Sequence, residues 1–192
     1  AGGPATDESR LVWYLALATV PVGVVGLAAG DYIESDLRNL PVIATTTLVF
    51  GILLGLADRY AARRKAGRAL TLSTALAIGF AQALAPVPGV SRSGITITAA
   101  LFLGMDRQGA ARFSFLLSIP VIASAGVLKG WELLQGSTEV YWWPLALGAL
   151  VSGVTAYLCI ALFLRLLDRL GLMPFVYYRV ILAIVLYSLW LA

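Results

Sequence analysis

The residues best suited to chemistry crowd into one stretch, Ala85–Thr98, with the sequence APVPGVSRSGITIT. At its centre Arg92 stands between Ser91 and Ser93, flanked by Gly89 and Gly94 and followed by Thr96 and Thr98. A guanidinium is a planar fork of N–H donors that matches the oxygens of a phosphate. The glycines let backbone come close to a ligand, and the hydroxyls of Ser91, Ser93 and Thr96 can donate hydrogen bonds or, in one case, attack phosphorus. A helix beginning at Ser93 or Gly94 would aim free N–H groups and its positive dipole end at the same point. Thr98 lies further along and is expected to bond back to its own helix. The set reads as an anion site, phosphate above all. Its bland rival is a kinked helix with a structural arginine.

The rest of the chain says what solvent surrounds this stretch. Of 192 residues, 60% are hydrophobic and 12% charged, against roughly 45–50% and about 25% in an ordinary soluble domain. The expected fold is an all-α integral membrane protein, a polytopic helical bundle forming a single transmembrane domain over residues 1–192. Histidine is absent, which removes the commonest general base and metal ligand. The net charge of +4 is gathered in a few short segments, a pattern of topology signals and not of nucleic-acid binding. The one cysteine, Cys159, cannot form a disulfide within the chain and reads as a small lipid-facing or core residue. The polar opening AGGPATDESR has no basic n-region and is not expected to be a signal peptide; it resembles the inside of a longer protein.

Spans of about 20 apolar residues are expected over Leu11–Ala29, Pro41–Ala57, Phe113–Leu128, Trp142–Leu164 and Phe175–Leu191. Tyr141, Trp142 and Trp143 suit an interfacial aromatic belt. Basic loops are expected at residues 59–68, 107–112 and 165–169, with Asp58 and Asp106 balancing local charge. Loops around Asp31, Glu34 and Asp36, and around Lys129, Glu132 and Glu139, are more acidic. The positive-inside rule puts the basic loops in the cytoplasm. Both ends of the apolar segment 69–105 then lie on one side, although Pro86, Pro88 and Gly89 interrupt it. Its halves, Ala69–Ala85 and Ile95–Leu103, are short for full crossings, so a re-entrant helix-loop-helix hairpin is expected, with Ala85–Thr98 at its tip. An arginine at that depth costs at least about 2.5–3.5 kcal/mol, and no acidic residue lies near Arg92 in sequence. Arg179, just inside the last span, reads on its own as a snorkelling or structural charge, and Met105 and Met173 as packing residues at span ends.

The run QALAPVPGVSRSGITIT from Gln82, the following LFLGMDRQGAARFSFLLSIPV, and MPFVYYR from Met173 to Arg179 resemble the second signature and final helix of the bacterial undecaprenyl-diphosphate phosphatases, the bacitracin-resistance type. The resemblance extends over essentially the whole chain. It implies an inverted-topology repeat in which each half carries a re-entrant hairpin, and an enzyme that removes the terminal phosphate of undecaprenyl diphosphate. The product is the monophosphate carrier used for cell-wall precursors. By the same resemblance Arg92 binds the diphosphate with Ser91, Ser93 and Thr96 around it. Gly89, Gly94, Gln82 and Arg179 are the substrate-binding candidates.

The family's first half also has a Glu-rich motif and a Ser-Ser-Thr-Gly-His run that nothing here matches. The resemblance therefore implies that this is the C-terminal portion, inactive alone. A divalent cation such as Mg or Ca would take its ligands from the N-terminal half. The nucleophile stays open among a hydroxyl of that half, a tip serine and water. The implied partners are the polyprenyl diphosphate lipid and the bacterial cytoplasmic membrane, without nucleic acid, and homodimerisation is left open. Rival readings are a polyprenyl-phosphate flippase or anion transporter using the same phosphate site, and a non-catalytic membrane scaffold.

Overall fold

A computed structural model describes residues 7–64, 67–135 and 142–191, which form seven helices in the order α1 (Asp7–Ser35), α2 (Leu40–Ala62), α3 (Leu72–Gln82), α4 (Arg92–Phe102), α5 (Arg107–Gln135), α6 (Trp142–Leu170) and α7 (Met173–Leu191). The starts obey local chemistry. Asn39 caps α2 by accepting from the Val42 N–H at 3.0 Å, and Pro41 occupies the first turn, where no N–H is needed. Thr71 caps α3 through the Thr74 N–H at 3.2 Å, and Asp106 caps α5 through the Gly109 N–H at 2.5 Å.

Five of these helices, α1, α2, α5, α6 and α7, are long and apolar enough to cross a membrane. The other two are not. With 11 residues each, α3 and α4 extend about 16 Å, roughly half of a hydrocarbon core about 30 Å thick. At their feet the Arg68 N–H donates to the Gly104 carbonyl at 2.7 Å, so the excursion closes on itself. Gly104 has φ +97°, and a Cβ there would run into the Arg64 guanidinium. The segment is thus a hairpin of two separate helices and not a kinked one.

The short helix α4 sits at the centre. Ile95, Thr96, Ile97, Thr98, Ala100 and Leu101 are buried, six of its 11 residues, and it packs against α2, α3 and α5. On the other flank α2 and α7 run antiparallel: Thr45 meets Tyr187, Gly51 meets Arg179 and Gly55 meets Val176. Gly51 and Gly55, four residues apart, allow this close approach; a Cβ on Gly51 would lie 3.0 Å from Arg179 Cβ. Gly79 of α3 similarly lies against the backbone of Ala18 in α1. Of the described residues in α6, only Leu167 is buried, and Trp142 and Trp143 are exposed at its start. Broad apolar exposure is expected of surfaces that meet lipid.

Several charges expected in loops belong instead to helix ends. Asp31 and Glu34 lie in α1, Asp58 and Arg59 in α2, Arg107 and Arg112 in α5, Lys129 and Glu132 in α5, and Arg165 and Arg169 in α6. Falling hydropathy marks where lipid ends, whereas helical hydrogen bonding continues into the interfacial layer, where long charged side chains reach water. Asp58 is 1% exposed and pairs with Arg107 at 2.6 Å, tying α2 to α5. Cys159 is exposed. Met105 is buried in the core and Met173 packs against it. Lys65, Glu139 and Tyr141 lie outside the described residues.

Candidate functional site at the hairpin tip

Between α3 and α4 the chain descends through tight turns, with Val87 N–H bonded to Leu84 O and Val90 N–H to Val87 O, both at 3.2 Å. It enters α4 through Ser91, whose φ of +67° is the only positive value at a non-glycine among the described residues. Ser91 caps the helix, its Oγ accepting from the Gly94 N–H at 3.2 Å, while its carbonyl accepts from Ile95 N–H at 3.0 Å. The helix therefore begins at Arg92, one residue before Ser93 and two before Gly94, the starts expected from the sequence. The N–H groups of Ser91, Arg92 and Ser93 have no partner among the described residues.

Three successive tip carbonyls, by contrast, are held by donors of α2 and α7. Thr46 of α2 donates to Pro88 O at 2.6 Å. Arg179 of α7 donates through Nη2 to Gly89 O at 2.7 Å and Val90 O at 3.1 Å, and through Nε to Thr47 O at 3.3 Å. In a trans peptide the C=O and the following N–H point in opposite directions, so fixing Val90 O toward α7 turns the Ser91 N–H away from it.

Ser91, Ser93, Gly94 and Arg179 line one cleft of about 160 Å³, whose remaining wall includes Phe163, Phe175 and Tyr178. Arg179 Nη1 has no hydrogen bond among the described residues, and a Cβ on Gly94 would come within 3.4 Å of it. The cleft thus has a polar end with serine hydroxyls and a guanidinium, and an aromatic remainder. It is smaller than the 300–1,000 Å³ usual for drug-sized ligands, and suits a phosphoryl group with the start of an apolar chain.

The structure divides the expected site residues. Arg92 and Thr96 do not line this cleft; they face α5, where Arg92 Nη1 donates to Ser114 O at 3.0 Å and the Thr96 and Ser114 hydroxyls lie 2.7 Å apart. The reason is helical geometry: residues 92 and 96 share one face, while Ser93 and Ile97 share the face toward the cleft. Gly89 lies close against α2: a Cβ there would collide with Thr46 Oγ1 and lie 2.6 Å from Ile43 O. Gln82 is fully buried, and neither amide atom has a partner among the described residues. Arg179, which alone reads as structural, joins Ser91 and Ser93. Sequence reasoning missed Thr46, Thr47, Gly51 and Ser114. The signals present were the hydroxyl run Thr45–Thr47 inside a span and the Gly51–Gly55 spacing.

Among the described residues neither Arg92 nor Arg179 has a carboxylate partner; the ion pairs there are Arg38–Glu34, Arg107–Asp58 and Lys129–Glu132. The sequence profile of the family described as bacitracin resistance protein BacA matches residues 2–185. The chain belongs to the BacA family. It is 59% identical over 191 residues to an undecaprenyl-diphosphatase of Chromohalobacter salexigens, spanning 100% of this chain and 72% of that protein. It is 55% identical over 186 residues to an undecaprenyl-diphosphatase of Teredinibacter turnerae, spanning 96% of this chain and 70% of the relative. A third, from Hahella chejuensis, is 54% identical over 181 residues, 94% of this chain and 68% of its own length. In this BacA-family chain no group of three or more His, Cys, Asp or Glu side chains occurs among the described residues, and the cleft wall carries no carboxylate. The described residues therefore do not fit the divalent cation that the resemblance implies.

Proposed function

We propose that this protein hydrolyses undecaprenyl diphosphate to undecaprenyl phosphate and inorganic phosphate, returning the lipid carrier to cell-wall synthesis. The observation that carries the reading is the arginine without a carboxylate, Arg179, turned into one cleft with two serine hydroxyls at a helix start whose N–H groups are free. A half-buried guanidinium without a counter-charge calls for an anion, and the names of the relatives supply a diphosphate. Water adds across the P–O–P bond: its oxygen joins the terminal phosphorus, the bridging oxygen leaves with the prenyl phosphate, and a proton is released. Such a reaction needs stabilisation of charge on the phosphoryl oxygens and alignment of the attacking oxygen. Arg179 Nη1 and the positive end of the α4 dipole would supply the first. The hydroxyls of Ser91 and Ser93 are the groups in the cleft able to orient or deliver the attacking oxygen. A diphosphate reaching past the start of α4 to its α5 side would bring its second phosphate to Arg92, whose Nε and Nη2 have no hydrogen bond among the described residues. A divalent cation would need carboxylates from outside the described residues.

We place the protein in the bacterial cytoplasmic membrane with the arginine-rich helix ends inside. Thr46, which touches the tip, is then about 24 Å along α2 from its cytoplasmic end at Ala62 and about 9 Å from its outer end. The headgroup would be met nearer the outer face.

The test is phosphate release from undecaprenyl diphosphate by the full-length protein in detergent, together with Arg179→Lys. The wild type should release phosphate. The lysine variant keeps the charge but loses the fork that joins three carbonyls, and its rate should fall about 10²-fold. Lipid movement across vesicles with no phosphate release would favour the flippase instead.

A further inference from the structure

We infer that Thr46, a residue of α2 outside the signature stretches, is a positioning residue for this reaction: its hydroxyl holds the Pro88 carbonyl and so fixes the turn that sets Ser91 and Ser93 at the cleft. The inference rests on the hydrolase reading above. Two prolines leave the tip poor in internal hydrogen bonds. Pro86 and Pro88 have no N–H, and none of the tip's own N–H groups reaches Pro88 O. Thr46 is the only donor to that carbonyl among the described residues.

A threonine inside a helix ordinarily bonds back to its own backbone. Thr46 Oγ1 is within reach of Val42 O at 2.8 Å and Ile43 O at 3.2 Å, but Pro88 O is closest at 2.6 Å. The hydroxyl has one proton to share among three acceptors, and it sits where α2 and the tip touch backbone to backbone. Gly89, with φ +87°, lies directly against it. On the far side of the same turn Arg179 takes Gly89 O and Val90 O. Thr46 and Arg179 together pin three successive carbonyls, and Ser91, Arg92 and Ser93 follow with their N–H groups free. Losing one anchor lets the turn rotate, and Ser91 and Ser93 a few tenths of an ångström out of place hold both the bound diphosphate and its transition state less well.

The experiment compares Thr46→Val and Thr46→Ser in the full-length protein. It measures kcat and KM for undecaprenyl diphosphate, melting temperature, and affinity for methylenediphosphonate, a diphosphate that cannot be hydrolysed. Valine keeps the shape and removes the donor; serine keeps the donor. The expected result is a kcat at least about tenfold lower for valine, with KM raised by up to a similar factor. Diphosphonate binding should weaken about tenfold in parallel. Serine should restore both, and neither variant should melt differently from wild type. The inference is overturned if valine matches wild type in kcat and in diphosphonate binding, or if serine fails as valine does and both melt lower. If the wild type binds the diphosphonate but releases no phosphate, the hydrolase reading falls and the binding series alone decides the role of Thr46. If it does neither, the site reading falls and the role of Thr46 falls with it.

Discussion

Ser91 combines two roles that usually belong to different residues. Its φ of +67° is a region that glycine enters freely and that costs other residues about 1–2 kcal/mol, yet its hydroxyl caps α4 and lines the cleft. Glycine caps a helix nearly as well as serine, within a few tenths of a kcal/mol. Ser91→Gly should therefore leave the melting temperature unchanged or slightly raised, by about 1 kcal/mol of stability, while phosphate release falls about 10²-fold. Full turnover in this variant would reduce Ser91 to a cap. Much at this scale was legible in the sequence: a tip rich in hydroxyls and glycines, and Thr98 bonding back to Gly94 O at 2.7 Å. What could not be read was which neighbours act together. Consecutive residues on a helix diverge by about 100°, so Arg92 parts from Ser91 and Ser93, while Arg179 joins them from 86 or more positions away in the chain.

At the level of elements, loop charge and interrupted hydropathy were enough to expect a hairpin. Its helices, Leu72–Gln82 and Arg92–Phe102, fall close to the expected halves. The helix ends were less legible, because charge marks the edge of lipid and not the end of hydrogen bonding. Asp58 illustrates the difference. It reads as a loop charge, but it is buried in α2, its side chain 2% exposed against 36% for its partner Arg107 in α5. Removing Arg107 strands a carboxylate in the interior, at a cost of up to about 3–5 kcal/mol. Removing Asp58 leaves a guanidinium that can turn toward water. Arg107→Ala should accordingly lower the melting temperature more than Asp58→Ala, and the double variant should be no worse than Arg107→Ala alone. The reverse ranking would mean that Arg107, and not Asp58, is the partner that needs the pair.

For the molecule as a whole, the closed hairpin predicts which surfaces share a compartment. In a Cys159→Ser background, cysteines at the exposed positions 63 and 112 should react with an impermeant maleimide from the same side of sealed vesicles, and one at 38 from the other. Labelling of 63 and 112 from opposite sides would show that the segment between them crosses the membrane. The bonds of Arg179 also have a meaning in time. A membrane chain is made from its N-terminus onward and its segments meet as they appear. The tip is complete long before α7 exists, so Gly89 O and Val90 O must wait for a donor that lies in a helix made much later. The cleft is therefore finished only once α7 is made, and a chain stalled before α7 would carry the signature without the site.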